Sequence, residues 1–185
     1  MQLQVPFEKH IKAKVCLVGE VAVGKTSLVK RFVLDTFDDR YVATVGTKVT
    51  KRTVPVLWRG VPAKMDLMLW DIMGEKGFRA LLKEAYFEGC QGVLAVCDLT
   101  RKDTLYDLTN WIGLTKKQVG NVPIVFLGNK LDLRDRFAVA QADLARLGGI
   151  HCALTLLTSA KTGENVELAF QSIGTAIADR HNGDA

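Results

Sequence analysis

Short apolar runs alternate along this chain with longer stretches in which apolar residues recur every three or four positions. That alternation predicts a mostly parallel sheet with helices on both faces, an α/β domain. Residues 13–18 read as a strand running into Gly19, and residues 26–34 as the first helix, with Leu28, Val29 and Phe32 on its apolar side. Residues 49–57 and 65–70 are strand-like and joined through Arg59-Gly60, short enough for an antiparallel hairpin, so one antiparallel edge strand is expected. Residues 92–97, 124–127 and 153–157 are rich in Val, Ile and Leu, as strands buried on both faces must be. With these the sheet has six strands. Helical periodicity covers residues 78–87, 104–119, 139–147 and 166–178.

A chain of 185 residues, 48% of them hydrophobic, is the usual size of one domain with a real core. One domain over residues 1–185 is expected, with short flexible termini at about 1–11 and 180–185. No acidic, Ser-rich or Pro-rich tract marks a linker. The net charge of +5 is spread along the chain, and only the stretch from Lys48 to Arg59 hints at clustering, so no nucleic-acid partner is expected. Cys16, Cys90, Cys97 and Cys152 lack metal-ligand spacing and read as reduced core residues. No apolar run approaches the roughly 20 residues that cross a bilayer. Glu8, Lys9 and His10 stand where a signal peptide would be apolar. A soluble, cytoplasmic monomer is the expectation.

Gly19-Glu20-Val21-Ala22-Val23-Gly24-Lys25-Thr26 matches G-x-x-x-x-G-K-[ST] in full, between a predicted strand and a predicted helix. Such a loop turns successive backbone N–H groups toward a polyphosphate, and the helix start adds its positive dipole end. Glu20, Val21, Ala22, Val23, Gly24, Lys25, Thr26 and Ser27 are therefore candidate nucleotide contacts. Lys25 would bridge the β- and γ-phosphates and the Thr26 hydroxyl would ligate Mg²⁺.

Three further stretches follow predicted strands. Asp71-Ile72-Met73-Gly74 ends one, so Asp71 can hold Mg²⁺ through water and Gly74 can offer its N–H to the γ-phosphate. Taken alone, D-x-x-G is also a common turn. Asn129-Lys130-Leu131-Asp132 follows another, and the Asp132 carboxylate suits the two adjacent N–H donors on guanine's edge, which adenine lacks. The competing reading is an Asn-Lys turn with a solvated Asp. Thr158-Ser159-Ala160-Lys161 ends the last strand, where Ser159 and Ala160 can reach the base edge while Lys161 packs along it.

With these motifs in this order, the chain resembles the Ras-like small GTPases, most closely the Rab-type branch, from about residue 12 to residue 179. Trp70-Asp71-Ile72-Met73-Gly74-Glu75-Lys76-Gly77-Phe78-Arg79 resembles W-D-T-A-G-Q-E-R-F-R, and Tyr41-Val42-Ala43-Thr44-Val45-Gly46 resembles Y-x-x-T-I-G. The resemblance implies a GTP/GDP switch whose mobile segments, residues 38–46 and 71–79, are recognised by effector, exchange-factor and GTPase-activating proteins. It implies that Thr44 closes over Mg²⁺ and the γ-phosphate in the GTP state, and that Tyr41 lies in that switch and contacts nucleotide. It also implies that Phe37 lies against the guanine ring, although a packing role under a loop is the alternative. Lys25, Thr44 and Glu75 then form the catalytic set. A place in membrane traffic follows from the resemblance alone.

Two positions depart from the family pattern. Glu75 stands where Gln usually orients the attacking water, and it cannot donate a hydrogen bond to the transition-state oxygens. Val21 stands where many relatives carry Gly, close to where an arginine finger must sit, so it should crowd the transition state. Slow hydrolysis is the expectation, and a nucleotide-loaded binding module with almost no turnover is the alternative. An ATP-using kinase or ATPase would need a different loop from Asn129 to Asp132. The last cysteine is Cys152, so no prenylation signal appears. Either a lipidated tail lies beyond this sequence or the protein works without one.

Overall fold

The computed structural model describes residues 9–38, 40, 46–72 and 83–183. In chain order its elements are β1 (Lys9–Val18), α1 (Lys25–Leu34), β2 (Thr47–Trp58), β3 (Val61–Ile72), α2 (Lys83–Phe87), β4 (Cys90–Asp98), α3 (Lys102–Val119), β5 (Ile124–Asn129), a 3-10 segment (Leu131–Arg136), α4 (Gln141–Ile150), β6 (Leu154–Leu157) and α5 (Val166–Gly183). The strands form one sheet in the order β2-β3-β1-β4-β5-β6. Only β2, turning at Arg59 and Gly60, is antiparallel to its neighbour, as the short connection predicts.

The central strands are apolar on both faces because helices cover both. On one side Val15, Leu17, Leu94 and Val96 pack with Phe32 of α1 and Phe170 of α5, whose rings stack at 4.0 Å. On the other side Cys16, Val93, Ala95 and Phe126 pack with Tyr86, Leu108, Trp111 and Leu144. Burial of these apolar side chains on both faces stabilises the layered arrangement that places the carboxyl ends of the central strands.

The described residues nearest the ends of the chain lie in regular elements. Lys9–Ile11 lie in β1, in register with Ala63, Lys64 and Met65 of β3. Arg180–Gly183 continue α5, tied down by hydrogen bonds from Arg180 to Asn121 O and from the Arg59 N–H to Asn182 Oδ1. Periodicity could not reveal these extensions, because their support comes from segments distant in sequence, β3, the β2–β3 turn and the connection at Asn121. Cys16, Cys90 and Cys97 are buried, but Cys152 is exposed: it sits at φ +50 in the turn between α4 and β6. The basic run on β2 is divided between two faces by strand alternation. Lys51 meets Asp66 at 3.4 Å, whereas Arg52 lies over the Phe32 ring at 4.2 Å and pairs with Glu167.

Parallel pairing brings the carboxyl ends of β1, β3, β4 and β5 to one edge, so Gly19, Asp71, Asp98 and Asn129 arrive together. From β1 the chain leads outward to β2 and β3, and from β4 it leads the other way. Such a reversal of strand order leaves a crevice beside the strand ends.

Candidate functional site

Residues 19–24 form the loop between β1 and α1, and Lys25 opens the helix. Gly24 sits at φ +101 at the helix start, and a Cβ there would collide with the Asn129 side-chain amide, so only glycine fits. Ala22 also adopts a left-handed turn, φ +61, although it carries a Cβ. Val23 is buried beneath the loop, while Glu20, Val21 and Ser27 are half-buried. The Lys25 ammonium, buried with its helix turn, donates to the carbonyls of Gly19 and Glu20 at 2.8 Å each. It is thereby held across the mouth of the loop, where anionic oxygens would compete for it.

Asn129 is the hub between this loop and the rest. Its Nδ2 donates to the Val23 carbonyl at 2.9 Å, and its Oδ1 accepts from Thr158 Oγ1 at 3.2 Å and from Ala160 N at 3.3 Å. The Ser159 hydroxyl donates to Asp132 Oδ1 at 2.6 Å and so orients the carboxylate, which is otherwise exposed. Arg31 on α1 closes the circle by donating to the carbonyls of Ala160 at 2.9 Å and Lys161 at 2.6 Å. Three segments far apart in sequence are thus one hydrogen-bonded unit.

Thr26 and Asp71 meet at the other end of the crevice, with the hydroxyl donating to Oδ2 at 2.5 Å. Asp71 Oδ1 is buried and has no hydrogen-bond partner among the described residues. Burial pushes the Asp71 carboxyl above its ordinary range, against the opposing pull of the Thr26 hydroxyl and Lys25. A buried carboxylate with a bare oxygen beside a hydroxyl is a hard-cation donor pair, so Asp71 and Thr26 fit Mg²⁺. When bound, that ion would neutralise phosphate charge.

Asp98, at the end of β4, was not picked out by its motif, and neither was Arg101. The buried Asp98 accepts from Lys130 Nζ at 2.6 Å, Arg101 Nε at 3.2 Å, and the backbone and hydroxyl of Thr100 at 2.9 and 2.7 Å. Arg101 also donates from Nη2 to the Val21 carbonyl at 2.6 Å. No recognisable spacing signals these two; a buried acid at a strand end beside the phosphate loop was the available clue. Lys130 itself stands at φ +70, turned toward Asp98. Phe37 is half-buried against the α1 and α5 side of the core. Tyr41, Thr44, Gly74 and Glu75 lie outside the described residues.

Residues 14–179 match the model of the Ras family. Among curated proteins, the "Ras-related protein Rab-13" of Canis lupus familiaris is 32% identical over 171 residues, 92% of this chain and 82% of that protein, and the Bos taurus protein of the same name matches to the same extent. The phosphate loop, the Thr26–Asp71 pair and the Asn129 hub thus all fall within the matched residues. The chain belongs to the Ras family, is Rab-like within it, and is a small GTPase that binds GTP and GDP with Mg²⁺, hydrolyses GTP and acts as a switch read by partner proteins.

Proposed function

We propose that the residues gathered at the carboxyl edge of the sheet carry this switch individually, with slow hydrolysis as its defining property. One observation supports the assignment most strongly: the Asn129 hub ties the phosphate loop to the base-recognition segments, while Asp71 Oδ1 beside Thr26 has no hydrogen-bond partner among the described residues. Loop N–H groups from Val21 to Thr26 cradle the phosphates, and Lys25 leaves the Gly19 and Glu20 carbonyls to meet them. Thr26 and Asp71 hold Mg²⁺. Asp132, fixed on one oxygen by Ser159, accepts the two guanine donors, and Lys130 and Lys161 flank the base. Thr44 and Glu75 act from the switch segments, 38–46 and 71–79, through which effectors, exchange factors and activating proteins bind.

Slow turnover follows from chemistry at two positions. Glu75 accepts a hydrogen bond from water but donates none to the developing charge, and Val21 adds a branched side chain where an arginine finger must approach. Single-turnover hydrolysis with Glu75→Gln and Val21→Gly, singly and together, tests this. Both should raise the rate while leaving GTP affinity nearly unchanged, since both act on the transition state. A parent rate already equal to the double variant's would refute the slow switch. No detectable turnover in the parent would favour the binding-module reading instead. Mass identification of the co-purifying nucleotide tests the site itself.

No helix among the described residues is long and apolar enough to cross a membrane. The protein is read as a monomer working on the cytoplasmic side, which light scattering and cell fractionation can check.

A further inference from the structure

We propose that Arg101 is a positioning residue of the nucleotide site: it holds the Val21 carbonyl from outside, keeps the phosphate loop in its strained turn at Ala22, and through Asp98 ties that turn to the base-recognition loop. This rests on the nucleotide reading above and adds a residue that lies outside every recognised motif.

Arg101 is fixed before its side chain acts. Its N–H donates to the Asp98 carbonyl at 2.9 Å, and its own carbonyl accepts from Thr104 N at 3.2 Å and Thr104 Oγ1 at 2.7 Å. The guanidinium then spans two groups, Asp98 Oδ2 at 3.2 Å and the Val21 carbonyl at 2.6 Å. A planar fork transmits orientation in a way a point charge does not. In a trans peptide the C=O and the following N–H point in opposite directions, so holding the Val21 carbonyl outward aims the Ala22 N–H inward. Inward N–H groups are what an anion-binding loop needs.

Ala22 makes this hold necessary. At φ +61 its Cβ meets a steric penalty that glycine would escape, and such a conformation persists only where its surroundings impose it. Arg101 grips the adjoining peptide. Asp98 meanwhile holds Lys130 at 2.6 Å, so one buried carboxylate anchors both the phosphate side and the base side.

The test is release of a fluorescent GDP from the full-length protein in Mg²⁺, chased with unlabelled GDP. Arg101→Ala should release at least about tenfold faster, the loss of one charge-assisted hydrogen bond. Arg101→Lys keeps the charge without the fork and should fall nearer to Arg101→Ala than to the parent. Adding Ala22→Gly to Arg101→Ala should bring release back to within about threefold of the parent, because glycine takes the turn without the penalty. In nucleotide-free protein the same addition should raise the melting midpoint of Arg101→Ala. Parent-like release by Arg101→Ala, full rescue by lysine, or no recovery with Ala22→Gly in either measurement would overturn the inference. A parent that fails to retain the fluorescent GDP would instead sink the nucleotide reading.

Discussion

Asp71 and Asp98 lie at the carboxyl ends of the two strands that flank β1, both are buried, and their surroundings differ in the one respect that matters for function. Asp98 is saturated. Burial alone would raise its pKa, but the Lys130 ammonium and the Thr100 hydrogen bonds hold the carboxyl below its ordinary range. Asp71 has one hydroxyl on Oδ2, nothing on Oδ1 among the described residues, and a pKa raised by burial. A carboxylate completed by the protein's own donors is structural. One left incomplete at the mouth of the loop has the donor chemistry that the proposed Mg²⁺ would complete.

The comparison breaks most visibly at Asp98. Asp98→Asn should cost about 2–3 kcal/mol of stability, less than the about 3–5 kcal/mol for a fully buried pair, because the Lys130 and Arg101 side chains stay 33% and 38% exposed and can be partly solvated. Urea denaturation of nucleotide-free protein measures it, and a loss under about 0.5 kcal/mol would mean Asp98 is no anchor.

Asp71→Asn should do the reverse. Stability without nucleotide should change by less than about 1 kcal/mol, since the amide keeps an acceptor for Thr26 and sheds a penalised charge. Mg²⁺ affinity, read from how the ion slows GDP release, should fall about 10- to 100-fold. An unchanged Mg²⁺ dependence would remove Asp71 from the metal site.

Acid should sharpen the contrast. Because the folded pKa of Asp98 is depressed, its stabilisation is fully present above its unfolded value of about 3.9 and is lost as pH falls through the lower folded value. The stability gap between parent and Asp98→Asn should therefore hold from neutral pH to about 5 and shrink on acidification toward pH 3. Thermal melts across that range decide it, and a gap that persists at pH 3 would assign it to packing.

The smallest effect is expected at Asp132, the half-completed case. Ser159→Ala removes the 2.6 Å bond to Oδ1 and should weaken GTP by about fivefold to tenfold, near 1 kcal/mol, without changing base preference. Competition binding against other nucleotides checks both halves of that statement.

Much of this site was legible in the chain because its chemistry is local. The proposed phosphate cradle needs Gly24, Lys25 and Thr26 at fixed steps, and the proposed base contact needs Asp132 three residues after Asn129, so both are spacings a sequence can carry. The central strands β1, β4 and β5 were legible for the same reason, being apolar runs buried on both faces, whereas β6 is an edge strand with Leu154 exposed rather than the fully buried strand expected. Their ends were less so. Lys9–Ile11 became strand because β3 lies alongside, and Lys102 and Lys25 extended their helices at positions where periodicity is silent.

Sequence alone determined the family of folds, the phosphate loop, the order of the motifs along the sheet and the two departures at Val21 and Glu75, since each is a property of neighbouring residues. Only the tertiary structure decided which groups complete one another. Asn129 reaches Val23 across 106 residues, Arg31 reaches Ala160 across 129, and Arg101 reaches Val21 across 80. A single Asp at a strand end reads alike at positions 71 and 98. Whether it is finished or left open depends on donors delivered by distant segments, and no local pattern encodes them; parallel strand pairing does, by bringing separate strand ends to one edge.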